Sequence, residues 1–201
     1  MSNHLNRVHV LLFSDFESLD VFGPVEVLGR SGYELHFCSL LGGKIKSSQN
    51  AIVHTVPLTD VDSTDILLIP GGEGTRKLVA DPEFLRALKD IAETAAYCLT
   101  VCTGSALLAC TGLLDGKRAT SNKRAFSWVT SLNTNVLWAG AARWIKDGKY
   151  YSSSGVSAGT DMALGFVSDQ TGKDTALATA RNIEYLWNDN SEADPFSVDM
   201  G

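Results

Sequence analysis

Three short segments of this chain are apolar almost without interruption, and each runs straight into a turn of small residues. They are VHVLLF (8–13), DILLIPGG (65–72) and YCLTV (97–101). A strand that does not alternate is buried on both faces, which is the condition of a parallel sheet covered on each side by helices. Segments with helical spacing fall between them: LDVFGPVEVLGRSG (19–32), PEFLRALKDIAETA (82–95) with Pro82 in its first turn, and TGSALLACTG (103–112). The β-α-β-α alternation predicts an α/β fold with a largely parallel sheet. Pro24 either kinks the first helix or opens a new first turn, and the pattern does not choose.

Further strands are expected at YELHFCSL (33–40), RATS (118–121) and YYSSSG (150–155), the last two each feeding a helix. KIKSSQNAIVHT (44–55) reads as an antiparallel excursion, and 135–151 as hairpin material turning at Asp147-Gly148. DTALATARNIEYLW (174–187) is a last helix before a polar, irregular tail (188–201). No repeat, low-complexity tract or linker divides the 201 residues, so one domain spanning 1–201 is expected.

The formal net charge of −6 argues against a nucleic-acid partner, because a phosphate-binding surface needs excess Lys and Arg. No apolar run reaches membrane-spanning length, and the N-terminus lacks the pattern of a signal peptide. A cytoplasmic protein with a small-molecule substrate is therefore expected. Cys38, Cys98, Cys102 and Cys110 form no C-x-x-C and no zinc-ligand spacing with a histidine, so neither a disulfide framework nor a metal site is expected.

In open α/β sheets, ligands bind beyond the carboxyl ends of the strands. Three stretches fall there: 13–20, PGGEG (70–74) and 101–103. Cys102 stands where the strand YCLTV stops and small residues begin. It is either a buried hydrophobe or a nucleophile lifted out on a sharp strand-to-helix turn. Position and turn chemistry favour the nucleophile, with its pKa held below the free value of about 8.5 by the helix amides behind it. Cys38, Cys98 and Cys110 read as buried structural cysteines. GVSAG (155–159) matches a serine-hydrolase elbow, but no histidine follows Ser157, and a small-residue loop opening the next helix accounts for it better. Asp161 in that first turn reads as a capping or helix-dipole carboxylate.

His4, His9, His36 and His54 all precede the cysteine, and none is a natural partner for it. A carboxylate is more economical. Asp20 lies among Leu19, Val21 and Phe22, where desolvation would raise its pKa toward general-acid use; a helix N-terminal carboxylate explains it equally well. IPGGEG lacks both the Walker ending and G-x-G-x-x-G spacing, so no nucleotide cofactor is expected. It can still offer backbone N–H groups to a developing anion, with Gly72 the chosen donor. Trp128, Trp138, Trp144 and Trp187 show no stacking pattern and read as core or interface.

Taken together, LLFSDFESLDVFGPVEVL, DILLIPGGEG, VCTGSALLACTGLLDGKRAT and SSSGVSAGTDMAL resemble the ThiJ/PfpI superfamily, which is related to class I glutamine amidotransferase domains. LD before GP, VCTGS and the late DPF look most like the isocyanide (isonitrile) hydratase branch. The resemblance implies a flavodoxin-like sandwich, usually a homodimer, and a nucleophile elbow at Cys102; no cofactor is expected. It implies that Asp20 is the acidic partner, that Thr103 is a hydrogen-bonding group, and that the Gly72 and Cys102–Thr103 backbone amides bind an anion. Glu73, Ser154, Gly155 and Val156 would line the pocket. Many relatives carry a histidine where ATSNK has Asn122, which argues against protease, glyoxalase and deglycase activity here. Three readings stand: a cysteine-dependent hydratase, a redox-responsive protein whose thiol becomes sulfinate, and a ligand-binding module without turnover.

Overall fold

A computed structural model describes residues 6–61 and 64–197. Residues 1–5 with His4, residues 62–63 and the end of the tail (198–201) lie outside the described residues. The strands are β1 (Arg7–Leu11), β2 (Glu34–Ser39), β3 (Leu41–Lys46), β4 (Ile52–Pro57), β5 (Ile66–Ile69), β6 (Tyr97–Val101), β7 (Arg118–Ala119), β8 (Leu137–Trp138), β9 (Trp144–Asp147) and β10 (Tyr150–Ser153). The helices are α1 (Ser18–Arg30), α2 (Thr75–Leu78), α3 (Pro82–Thr94), α4 (Gly104–Cys110), α5 (Phe126–Leu132), α6 (Ala158–Thr171) and α7 (Lys173–Asn182). Among the described residues no helix is long and apolar enough to cross a membrane.

Eight strands form one sheet in the order β3-β4-β2-β1-β5-β6-β10-β9. The pairings from β4 through β10 are parallel, and only the edge strands β3 and β9 run antiparallel. All four residues of β5 are fully buried, and β6 is buried from Cys98 to Val101. The uninterrupted apolar runs thus occupy the sheet centre, as the sequence predicts. The chain leaves β1 to build β2 on one side and returns to place β5 on the other. The β1/β5 border is therefore a topological switch point, and the carboxyl ends of β1, β5, β6 and β10 open onto one crevice.

Local chemistry sets the helices. The Asp81 carboxylate accepts from the Glu83 and Phe84 amides at 3.0 and 3.1 Å, capping α3, and Pro82 takes a first-turn position where no N–H is needed. The α3 face toward the sheet is Phe84, Leu88 and Ala92, spaced by four. Pro24 lies inside α1, which continues to Arg30, and it supplies no N–H to the carbonyl of Asp20 one turn earlier.

Several expectations are corrected. RATS forms only the two-residue β7, which pairs with β8 in a separate ribbon because Thr120 and Ser121 turn inward to bond elsewhere. The last helix ends at Asn182, where Ile183 leaves helical geometry and Glu184 takes a φ of 52°. Asp161 is more than a capping group. It is fully buried and ion-paired with the buried Arg143, whose Nε donates to Oδ2 at 2.7 Å. Cys38 and Cys98 are buried as expected, whereas Cys110 is only half-buried.

Candidate active site

The peptide after β6 bends sharply into α4, and Cys102 sits at the bend with a φ of 58°. That left-handed conformation is uncommon for a residue with a side chain and persists only where the surroundings fix it. Here they do. The Cys102 N–H faces the carbonyls of Ser153 and Ser154, both at 3.3 Å. Its carbonyl accepts from Ser121 Oγ at 2.9 Å and from Ser105 Oγ at 3.0 Å. The strained strand-to-helix turn expected from the sequence is present. The serines that brace it were not legible, because Ser121 and Ser153 reach it only through tertiary structure.

Asp20 is fully buried on the first turns of α1. Its Oδ2 accepts from the Gly71 N–H at 2.9 Å, while Oδ1 has no partner at hydrogen-bond geometry. The thiol of Cys102 lies close enough that the two groups shift each other's titration. Burial, and then the nearby Glu17 charge, push the Asp20 carboxyl up to about 8, against the opposing pull of the Gly71 amide. The desolvation expected from its apolar neighbours is therefore found. Gly71 is a residue the sequence reading missed. A Cβ there would sit 2.6 Å from Thr103 N and 2.9 Å from Asp20 Oδ2, so only glycine lets the β5 turn approach both groups.

Two expectations about charge do not hold. The thiol pKa is raised, not lowered. Burial contributes most, then the Asp20 charge; the Thr103 N–H and the Asn122 side chain act the other way but are outweighed. Asp20 on α1, the turn after β5, Ser121 and the end of β10 close around the Cys102 turn, and that cover cannot be read from a local motif. The Gly72 N–H is not free for an anion either. It donates to Thr103 Oγ1 at 3.1 Å. Thr75 Oγ1 lies 2.7 Å from the Gly72 carbonyl and 3.1 Å from Thr103 Oγ1, so the Thr103 hydroxyl is held from two sides.

A cavity of about 490 Å³ opens over Cys102 and Thr103 and is walled in part by Gly72, Glu73, Asn122 and Val156. Ser154 and Gly155 line a neighbouring, more apolar cavity of about 400 Å³ that reaches Leu19 and Phe196. The expected pocket residues are thus divided between two adjoining spaces, with Asn122, Arg124 and Val156 common to both. Arg76 closes one rim of the first, its guanidinium 3.5 Å above the Trp128 ring, a stacking contact the sequence did not reveal. No described histidine enters either space: His9 stacks on His36 between β1 and β2, and His54 lies on β4.

The DJ-1/PfpI family model matches residues 6–169, which contain every part of this site except Phe196. The chain belongs to the DJ-1/PfpI family. It is 30% identical to an isonitrile hydratase of Pseudomonas putida over 181 residues, covering 89% of this chain and 78% of that protein. It is 25% identical to a deglycase of Thermococcus kodakarensis, over 73% of this chain and 89% of the relative. The crystal structure of Drosophila melanogaster DJ-1beta superimposes with a TM-score of 0.80 at 21% identity, over 90% of this chain and 99% of that one. The mostly parallel sheet flanked by helices is the fold of these DJ-1/PfpI proteins.

Proposed function

We propose that this DJ-1/PfpI protein is a cysteine-dependent hydratase that converts a small isonitrile into an N-formamide. The observation that carries the reading is the pairing of Cys102 with a buried carboxyl, Asp20, whose pKa of about 8 suits proton transfer near neutrality. The likeness to an isonitrile hydratase along most of both chains supports it. An isonitrile carbon is electrophilic toward a thiolate, but becomes basic as the carbon–sulfur bond forms, so the same step needs a proton. Asp20 takes the proton from the Cys102 thiol and delivers it to that carbon, leaving a thioimidate on sulfur. Water then adds to the thioimidate carbon, and Asp20 relays one of its protons to the substrate nitrogen. Collapse of the adduct breaks the carbon–sulfur bond, the remaining hydroxyl proton passes by way of Asp20 to sulfur, and the formamide is released. Thr103, fixed by Gly72 and Thr75, presents its hydroxyl to the water or to the substrate nitrogen. One cysteine and one carboxyl complete the cycle, and no second base is required.

The adjoining apolar space gives the substrate's hydrocarbon part a place beside Leu19 and Phe196. Purified protein incubated with several aryl and alkyl isonitriles should release the corresponding N-formamides, followed by proton NMR, faster than a protein-free control. Formamide at the control rate from every isonitrile would refute the reading.

A further inference from the structure

Asn122, the residue that departs from the family resemblance, has its side chain held from two sides. Asn122 lies between the two cavities and borders Cys102 in the larger. Its Oδ1 accepts from the Ala125 N–H at 3.0 Å, which fixes the flip of the amide and turns Nδ2 away from α5. A Cβ on Gly155 would fall 2.0 Å from Nδ2 and 3.0 Å from the Asn122 side-chain carbonyl carbon. The amide therefore occupies the space that glycine leaves open. That space adjoins Ser153 and Ser154, whose carbonyls face the Cys102 N–H. Among the described residues no oxygen or nitrogen acceptor is found for Nδ2, and the amide shares the cavity wall with the Cys102 thiol.

We propose that Asn122 is a catalytic donor to the Cys102 sulfur, its Nδ2–H stabilising the thiolate as the proton leaves for Asp20. The inference deepens the hydratase reading, since it assigns the job of holding sulfur to a group that cannot itself take a proton. A side-chain amide does not ionise in the working range, so proton traffic is confined to the thiol and Asp20. A histidine in the same place would supply a second base and a competing charge. No bond is made or broken at Asn122; it contributes a hydrogen bond that strengthens when sulfur becomes anionic. Its influence on the thiol, together with that of the Thr103 N–H, favours the thiolate.

The test reads the thiol itself and needs no isonitrile, so it stands or falls separately from the hydratase reading. Iodoacetamide alkylation of Cys102 is followed by peptide mass spectrometry across pH in wild type, Asn122→Asp, Asn122→Leu, Asn122→Ala, Gly155→Ala and the Asn122→Ala/Gly155→Ala double variant, with circular dichroism confirming the fold. A hydrogen bond to a charged group predicts that Asn122→Leu alkylates roughly ten- to hundredfold more slowly at a fixed neutral pH. Asn122→Asp keeps the size and the acceptor for Ala125 but brings an anion to the sulfur, so it should be slower again. Gly155→Ala displaces the amide and should reproduce the slowing, yet add little in an Asn122→Ala background. Alkylation profiles of Asn122→Asp and Asn122→Leu that overlay wild type would overturn the proposal. So would Gly155→Ala and Asn122→Ala effects that multiply as independent changes.

Discussion

Asp20→Asn should lose roughly 10²- to 10⁴-fold in formamide turnover, the usual worth of a positioned proton donor, while becoming the more stable protein at neutral pH. The two effects share one cause. Asparagine keeps an oxygen for the Gly71 N–H but cannot carry a proton from sulfur to carbon. The sign of the stability change follows from linkage. The folded carboxyl titrates at about 8 and the ordinary value is 3.8. Below that ordinary value both states are neutral and burial carries no ionic penalty. As pH rises from there toward 8, the unfolded chain ionises and the folded one does not, so the native state loses ground. At pH 7 the disadvantage is about 4 kcal/mol, and asparagine removes it. Thermal unfolding at pH 7 should show the variant well above wild type, with the gap closing near pH 4. An equal gap at both pH values would mean that Asp20 is not held neutral.

Cys102→Ala should abolish formamide production altogether with the fold intact. Alanine retains the Cβ, and the turn is braced through backbone atoms: the Cys102 N–H toward the Ser153 and Ser154 carbonyls, and its own carbonyl under the Ser105 and Ser121 hydroxyls. The left-handed φ is therefore imposed by neighbours that the substitution leaves in place. The loss of buried sulfur costs about 1 kcal/mol, too little to unfold a domain of ordinary stability. Asp20 without a thiol has no covalent intermediate to form. Full circular dichroism with no formamide by NMR is the expected pair of results; turnover equal to wild type would remove sulfur from the mechanism.

The parts of this site that depend on neighbours along the chain were readable. The apolar run before Cys102 and the small residues after it specify a turn, and Leu19, Val21 and Phe22 around Asp20 foretell its desolvation. The parts that depend on distant segments were not. Gly71 is essential because Thr103 and Asp20 approach it from α4 and α1, which nothing in PGGEG announces. Asn122 reads as a lost histidine until Ala125 and Gly155 fix its amide. The sign of the thiol shift escapes a local reading for the same reason: helix amides act locally, whereas the burial that outweighs them comes from segments distant in sequence. The Asp161–Arg143 ion pair joins residues on α6 and just before β9, and only the folded sheet brings them together.

The proposed cycle turns on one proton shared between Cys102 and Asp20, and the pH dependence of kcat/KM for isonitrile hydration reads that proton out. With both groups protonated, neither can start the reaction. The first proton to leave comes from Asp20 at about 8, and the carboxylate so formed takes the thiol proton and passes it to carbon. The thiol proton leaves to solvent only at much higher pH, because burial raises it. Activity should therefore rise about tenfold per pH unit up to an inflection near pH 8, then hold level. A profile that is flat across this range, or that falls through pH 8, would contradict it.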